Sequence, residues 1–210
     1  MGYAIGMSIH PYIYLASQSP RRRELLHQIG VRFDTLLLRN DARRIVGVDE
    51  TPLAEENPLD YVQRICQAKV LAGWEAVLYR NLRKMPVLAA DTTVTLDNQI
   101  IGKPRDREEA ILMLHKLSCR EHLVYTSVAV KLNERIESRL SITAVTFARL
   151  SDEQIQRYVS DTETHDKAGA YGIQGMAGAF VQRIEGSYSG VVGLPLFETA
   201  ELLHSFGYTV

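Results

Sequence analysis

Apolar positions along this chain recur with two different periods, and polar residues gather where one pattern gives way to the next. Tyr12–Ala16 is a continuous apolar run that predicts a short buried strand, and Ser17–Ser19 breaks it as a loop. Ser19 suits a helix N-cap and Pro20 the first helical position. Leu25, Leu26 and Ile29 then share one helical face, which Gly30 closes. Val31–Leu38 reads as a second strand, and Asn40–Glu56 is polar and irregular. Asn57-Pro58 opens a long helix to about Tyr79 with the stripe Leu59, Val62, Cys66. The next position on that stripe is Lys69, which either snorkels past the core or points into a cleft.

Val87–Ala90 reads as a strand covered on both faces, stopping at Asp91-Thr92-Thr93. Val94–Leu96 and Gln99–Ile101 flank Asp97-Asn98 as a hairpin. Asp106 with Glu109 makes a capping-box pattern for a helix to Leu117. Two long strands follow, His122–Val130 and Arg135–Phe147, and Ser151 with Gln154 caps a short helix to Val159. Asp161–Gly178 is a glycine-rich polar loop, Ala179–Ile184 a strand, and Gly193-Leu194-Pro195 leads into a last helix that Gly207 ends. The sum predicts an α/β fold: a mixed twisted sheet with flanking helices and ligand-binding loops at strand ends.

Composition narrows the function classes. The 210 residues suit one domain with a sizeable core. Lys plus Arg is 24 against 25 Asp plus Glu, so bulk charge does not recommend a nucleic-acid binder. That balance leaves room for a local basic site. The two cysteines, Cys66 and Cys119, have no metal-type spacing and read as buried thiols in a reducing compartment. The apolar runs are too short to cross a bilayer, and the N-terminus reads as neither a signal peptide nor a myristoylation site. The expectation is a cytoplasmic protein with residues 1–11 loose, no membrane and no nucleic acid.

Four stretches carry chemistry. Arg21, Arg22 and Arg23 stand in the first turn of a helix, where the dipole disfavours positive charge. They are either a solvated surface cluster or a site for an anion, since a phosphate accepts from first-turn N–H groups, serine hydroxyls and guanidinium forks. Neighbouring helical residues point about 100° apart, so two at most face one ligand; Arg21 and Arg22 are nearest the N-terminus, and Arg23 is assigned to solvent. Asp91 at the end of a buried strand suits a divalent cation or a general base, or equally a cap or turn. Lys103, between Gly102 and Pro104, suits a phosphate contact or a plain surface turn and lacks the P-loop spacing. "DKAGAYGIQG" is a flexible surface loop or a ligand-hugging one, and the Gln174 amide can read a base edge because it both donates and accepts. Neither a nucleophile elbow nor a Nudix-like helix is present, and the histidines are scattered.

Together, "LASQSPRRRELL", "AADTTV", "GKP", "DKAGAYGIQG" and "VVGLPLFET" resemble the Maf family of nucleotide pyrophosphatases, the septum-formation-protein homologues. The resemblance runs over about residues 12–207 with the motifs in family order. It implies an elongated, two-lobed fold like that of the inosine-triphosphate pyrophosphatases, with a central cleft and one domain over 12–210. It also implies hydrolysis of nucleoside triphosphates to monophosphate and pyrophosphate with Mg²⁺ or Mn²⁺. The family's proton acceptor and metal ligand falls on Asp91. Its first-motif positions fall on Ser17, Ser19, Arg21 and Arg22, and its lysines on Lys69, Lys103 and Lys167. An acidic metal-ligand position falls on Asp41. Arg21, Thr92 and Gln174 match the dTTP/UTP branch, where the 7-methyl-GTP branch carries Trp, Gln and Glu. A homodimer is a family-level expectation. The competing class is a nucleotide-binding regulator of cell division and septum formation that acts through a protein partner.

Overall fold

The structure is a computed structural model that describes residues 10–37, 48–161 and 164–210. Most of the expected loose N-terminus, Asp41 and part of the irregular 40–56 stretch lie outside the described residues.

Among the described residues, seven strands form one mixed sheet: β1 (Ile13–Leu15), β2 (Phe33–Thr35), β3 (Val87–Leu96), β4 (Gln99–Ile101), β5 (Glu121–Leu132), β6 (Arg135–Phe147) and β7 (Val181–Glu185). Their order is β2-β1-β3-β5-β6-β7, with β4 also on β3. β1 runs parallel to β2 and β3, and every other pairing is antiparallel. The long antiparallel strands β3, β5 and β6 form the centre of the sheet, and their β-branched residues suit it.

The helices are α1 (Pro20–Gln28), α2 (Pro58–Tyr79), α3 (Arg107–Leu117), α4 (Asp152–Asp161), α5 (Tyr188–Val192) and α6 (Leu196–Ser205). The expected caps form. Ser19 Oγ accepts from Arg22 N at 3.4 Å, and Ser151 and Gln154 bond each other's backbone N–H at 3.2 and 2.8 Å. At α3 Asp106 caps Glu109 N, but the Glu109 carboxylate turns to Arg105 instead of closing the box.

Two apolar clusters cover the two faces of the sheet. α2 seals one with Cys66, Val70, Trp74 and Val77 against Tyr14, Val87 and Ala89. Its inward stripe is Val62, Ile65, Cys66 and Val70; Leu59, expected on it, is only half-buried. The approach is close. A Cβ on Gly73 would stand 2.8 Å from both Ala16 Cβ and Val87 Cγ1, so only glycine lets this helix lie so near the sheet. The larger cluster, from Leu15 and Leu26 to Leu194 and Leu203, fills the other face.

Several boundaries differ from expectation. The second strand is only Phe33–Thr35, because its partner β1 offers only three residues. Two 3₁₀ turns, Ala168–Ala170 and Met176–Phe180, order the glycine-rich loop and delay the next strand to Val181. α5 is an additional short helix capped by Ser187 Oγ. Cys119, expected to be buried, is exposed in the turn before β5, with φ 59°.

The most consequential difference concerns Asp91. The strand does not stop there, because β5 pairs with β3 without interruption from Val87 to Thr95. The opposite edge of β3 is shared. β1 holds it at Val87 and Leu88, and β4 holds it from Val94 to Leu96. Residues 89–93 face no strand on that edge among the described residues. Asp91 and Thr92 therefore sit mid-strand at a gap in the sheet, and their side chains reach the gap from opposite faces.

Candidate functional site

The gap opens into a cavity of about 560 Å³ whose lining includes Asp91, Thr92, Ser17, Ser19, Arg21, Arg22, Lys69, Lys103, Lys167 and Gln174. All the described candidate residues from the sequence thus meet in one place. Among the described residues five basic and three acidic side chains line it, and Val94, Val124, Ile173, Val191 and Val192 give it apolar wall. Arg23 is exposed and does not line it.

On the α2 face of the gap, Lys69 Nζ lies 2.6 Å from Asp91 Oδ1 and 2.7 Å from Glu50 Oε1. The lysine on the apolar stripe points into the cleft. Glu50 also reaches Lys103 Nζ at 3.5 Å. Burial opposes the Glu50 charge, but Lys69 and then Lys103 outweigh it and hold the carboxyl below its ordinary range. α2 fixes this acidic loop. Tyr61 donates its hydroxyl to the Glu50 carbonyl at 2.8 Å, and Arg64 clamps Glu56 at 2.5 and 2.7 Å and the Thr51 carbonyl at 3.2 Å.

Glu50 is the site residue that sequence reasoning missed. It lies in a polar, non-periodic stretch where several carboxylates compete and spacing singles out none. Asp41, the expected acidic partner, lies outside the described residues, and among the described ones Glu50 faces Asp91 across Lys69.

On the other face, Arg22 is anchored from three directions. Its Nε donates to the Gly193 carbonyl at 2.8 Å, Nη1 to Ser17 Oγ at 3.3 Å and Nη2 to Thr92 Oγ1 at 3.4 Å. Three of the five guanidinium N–H donors are committed, which leaves two for a ligand. Lost solvation lowers the Arg22 pKa, while the nearby Asp91 charge pulls the other way. Gly193 holds its carbonyl at the C-terminus of α5 with φ 131°, a backbone state that side chains rarely adopt.

The glycine-rich loop closes the cavity. Asp166 bonds Lys167 Nζ and also pairs with Arg21 Nη1 at 3.2 Å, so the loop is tied to the start of α1. Burial opposes the Asp166 charge, and Lys167 and Arg21 overcome it, keeping the carboxyl below its usual value. Gln174 is exposed in the lining, with no protein hydrogen bond among the described residues.

Behind the loop, His122 is buried among Phe147 and Tyr171, with Nε2 2.8 Å from the Tyr171 hydroxyl and Nδ1 lacking a partner among the described residues. Burial pushes its imidazole from 6.5 down to about 4. Between those values the unfolded chain takes up a proton that the folded one refuses, so stability falls as pH drops from 6.5 towards 4. The cost across that window is about 3 kcal/mol at 1.36 kcal/mol per pH unit. His122→Gln is expected to flatten this limb in urea unfolding followed against pH. An unchanged slope in the variant would rule out His122 as its source.

The Maf-like protein family model matches residues 12–206. A dTTP/UTP pyrophosphatase of Nitrosomonas europaea is 56% identical over 198 residues, covering 94% of this chain and 96% of the relative. One of Aromatoleum aromaticum is 52% identical over 201 residues, 95% and 98% of the two chains. One of Dechloromonas aromatica is 50% identical over 196 residues, 93% and 98%. With a matched model over nearly its whole length and relatives this similar, the chain belongs to the Maf family.

Proposed function

We propose that this protein hydrolyses pyrimidine nucleoside triphosphates, dTTP and UTP foremost, to the monophosphate and pyrophosphate, clearing the cytoplasmic nucleotide pool. The observation that carries this reading is Asp91 in the sheet gap, with Lys69 and Glu50 on one face and the anchored Arg22 on the other. The names of the three relatives support the reaction and the substrates; no observation favours the regulator over the enzyme.

The triphosphate lies against the α1 N-terminus, where Ser17, Ser19, Arg21 and the two uncommitted N–H groups of Arg22 face it. Lys69, Lys103 and Lys167 meet the remaining phosphate oxygens. Asp91 accepts the proton of a water attacking the α-phosphorus in line, and the fixed cations stabilise the charge on the leaving pyrophosphate. The donor set fits a divalent cation. Asp91 and Glu50 present hard carboxylate oxygens that already converge on one cationic point, the Lys69 ammonium. These two residues would hold Mg²⁺ or Mn²⁺, which supplies further charge neutralisation on the phosphates. The apolar wall takes the base, and the Gln174 amide pairs with the adjacent donor and acceptor of uracil or thymine. Arg21 and Thr92 complete the base-selecting set. A homodimer belongs to the same proposal.

A panel of dTTP, UTP, CTP, ATP, GTP and 7-methyl-GTP with Mg²⁺ or Mn²⁺, read as pyrophosphate release, tests this. Turnover of dTTP and UTP at least about tenfold above the purines is expected, as befits a site built to hydrogen-bond one base edge. Negligible hydrolysis throughout would overturn the enzyme reading, and a 7-methyl-GTP preference would overturn the pyrimidine assignment.

A further inference from the structure

Thr92 lines the cavity, whereas Thr126, opposite it on β5, does not and is almost fully buried. Thr126 Oγ1 lies 2.8 Å from the Gly190 carbonyl and 3.2 Å from Thr92 Oγ1. A hydroxyl has one proton and two lone pairs. Thr126 is the donor in both contacts. Its one proton is shared between the Gly190 carbonyl at 2.8 Å and the more distant Thr92 Oγ1. Thr92 therefore gives one lone pair to Thr126. Arg22 Nη2 only donates, so Thr92 accepts there. Both Thr92 lone pairs are taken by the protein, and its proton is left for the cavity.

We infer that Thr126 is a positioning residue for the nucleotide site. It fixes the Thr92 hydroxyl and thereby holds the Arg22 guanidinium against its phosphate. The chain runs from the α5 backbone at Gly190 through Thr126 and Thr92 to Arg22, whose Nε returns to α5 at Gly193. α5 thus grips Arg22 at both ends of one hydrogen-bonded loop. No sequence signal marks Thr126, because a threonine within a strand is commonplace.

The inference rests on the cavity being a triphosphate site, and the test separates the two. Thr126→Val, Thr126→Ala, Thr126→Ser, Thr92→Val and the Thr92→Val/Thr126→Val double variant are compared with wild type. Two readouts are taken: kcat/KM for UTP with Mg²⁺, and the Kd for inorganic tripolyphosphate, which has no base. Thr126→Val is expected to lose about tenfold in both, since a displaced guanidinium costs orientation. Thr126→Ser keeps the proton and the lone pairs and should stay within about threefold of wild type. Because Thr126 acts through Thr92, the double variant should match Thr92→Val alone. Thr126→Ala gives the same reading if the valine does not fold. Wild-type values in both Thr126→Val and Thr126→Ala, a serine variant as poor as valine, or losses that multiply in the double variant would overturn the inference. A wild type that binds tripolyphosphate with this pattern but turns over no nucleotide would defeat the proposed function and leave the role of Thr126 standing.

Discussion

Asp91→Asn is expected to abolish turnover of dTTP and UTP while leaving nucleotide binding in place. The substitution keeps shape and volume at a buried mid-strand position, and it removes the oxygen proposed to take a proton. General-base catalysis contributes about 10²–10⁴-fold. Asp91 also holds Lys69 in position, so the loss should lie at the upper end of that range, about 10⁴-fold in kcat. In the proposed reading binding rests mainly on Arg22, Lys103, Lys167 and the α1 N-terminus, which the change does not touch. The Kd for UTP measured by calorimetry should therefore stay within about tenfold of wild type. Near-normal turnover would move the base elsewhere, with Glu50 the next carboxylate on the same lysine.

The second large effect is expected at Arg22. Arg22→Lys keeps the charge and loses the fork. An ammonium cannot hold the Gly193 carbonyl, Ser17 and Thr92 in one plane and still present two further N–H groups to phosphate. A single preorganised donor at a developing charge is worth about 10²–10³-fold. Arg22→Lys should lose about 10²-fold in kcat/KM, chiefly in kcat, because the fork matters most to the charge of the leaving group. Arg23→Lys, in the exposed position next to it, is the internal control and should be silent. Equal small effects at both positions would return the arginine triplet to a solvated cluster.

The contrast between these neighbours shows how far the sequence can be read. Three arginines after a serine N-cap are legible as a misfit with the helix dipole, and the 100° step separates Arg23 from the cavity. Lys69 is legible because it interrupts an apolar stripe. Asp91 is legible as a carboxylate in an apolar run, but its setting is not. Local pattern suggests a strand that ends, whereas a ten-residue strand passes through and one edge of it lacks a neighbour. An edge gap depends on where two other strands stop, and no local period encodes that. Glu50 and Thr126 fail for related reasons. Glu50 belongs to an aperiodic loop, and only its anchoring by Tyr61 and Arg64 brings it to the cleft. Thr126 matters through hydroxyl bookkeeping across two strands and a helix, which appears only once those elements are assembled.

In the proposed mechanism the gap beside Asp91 directs water to the α-phosphorus. Hydrolysis of UTP with Mg²⁺ in water labelled with heavy oxygen, followed by mass spectrometry of the products, tests it most directly. The expected products are uridine monophosphate carrying one labelled oxygen and unlabelled pyrophosphate. Label in the pyrophosphate, or release of orthophosphate in its place, would contradict it.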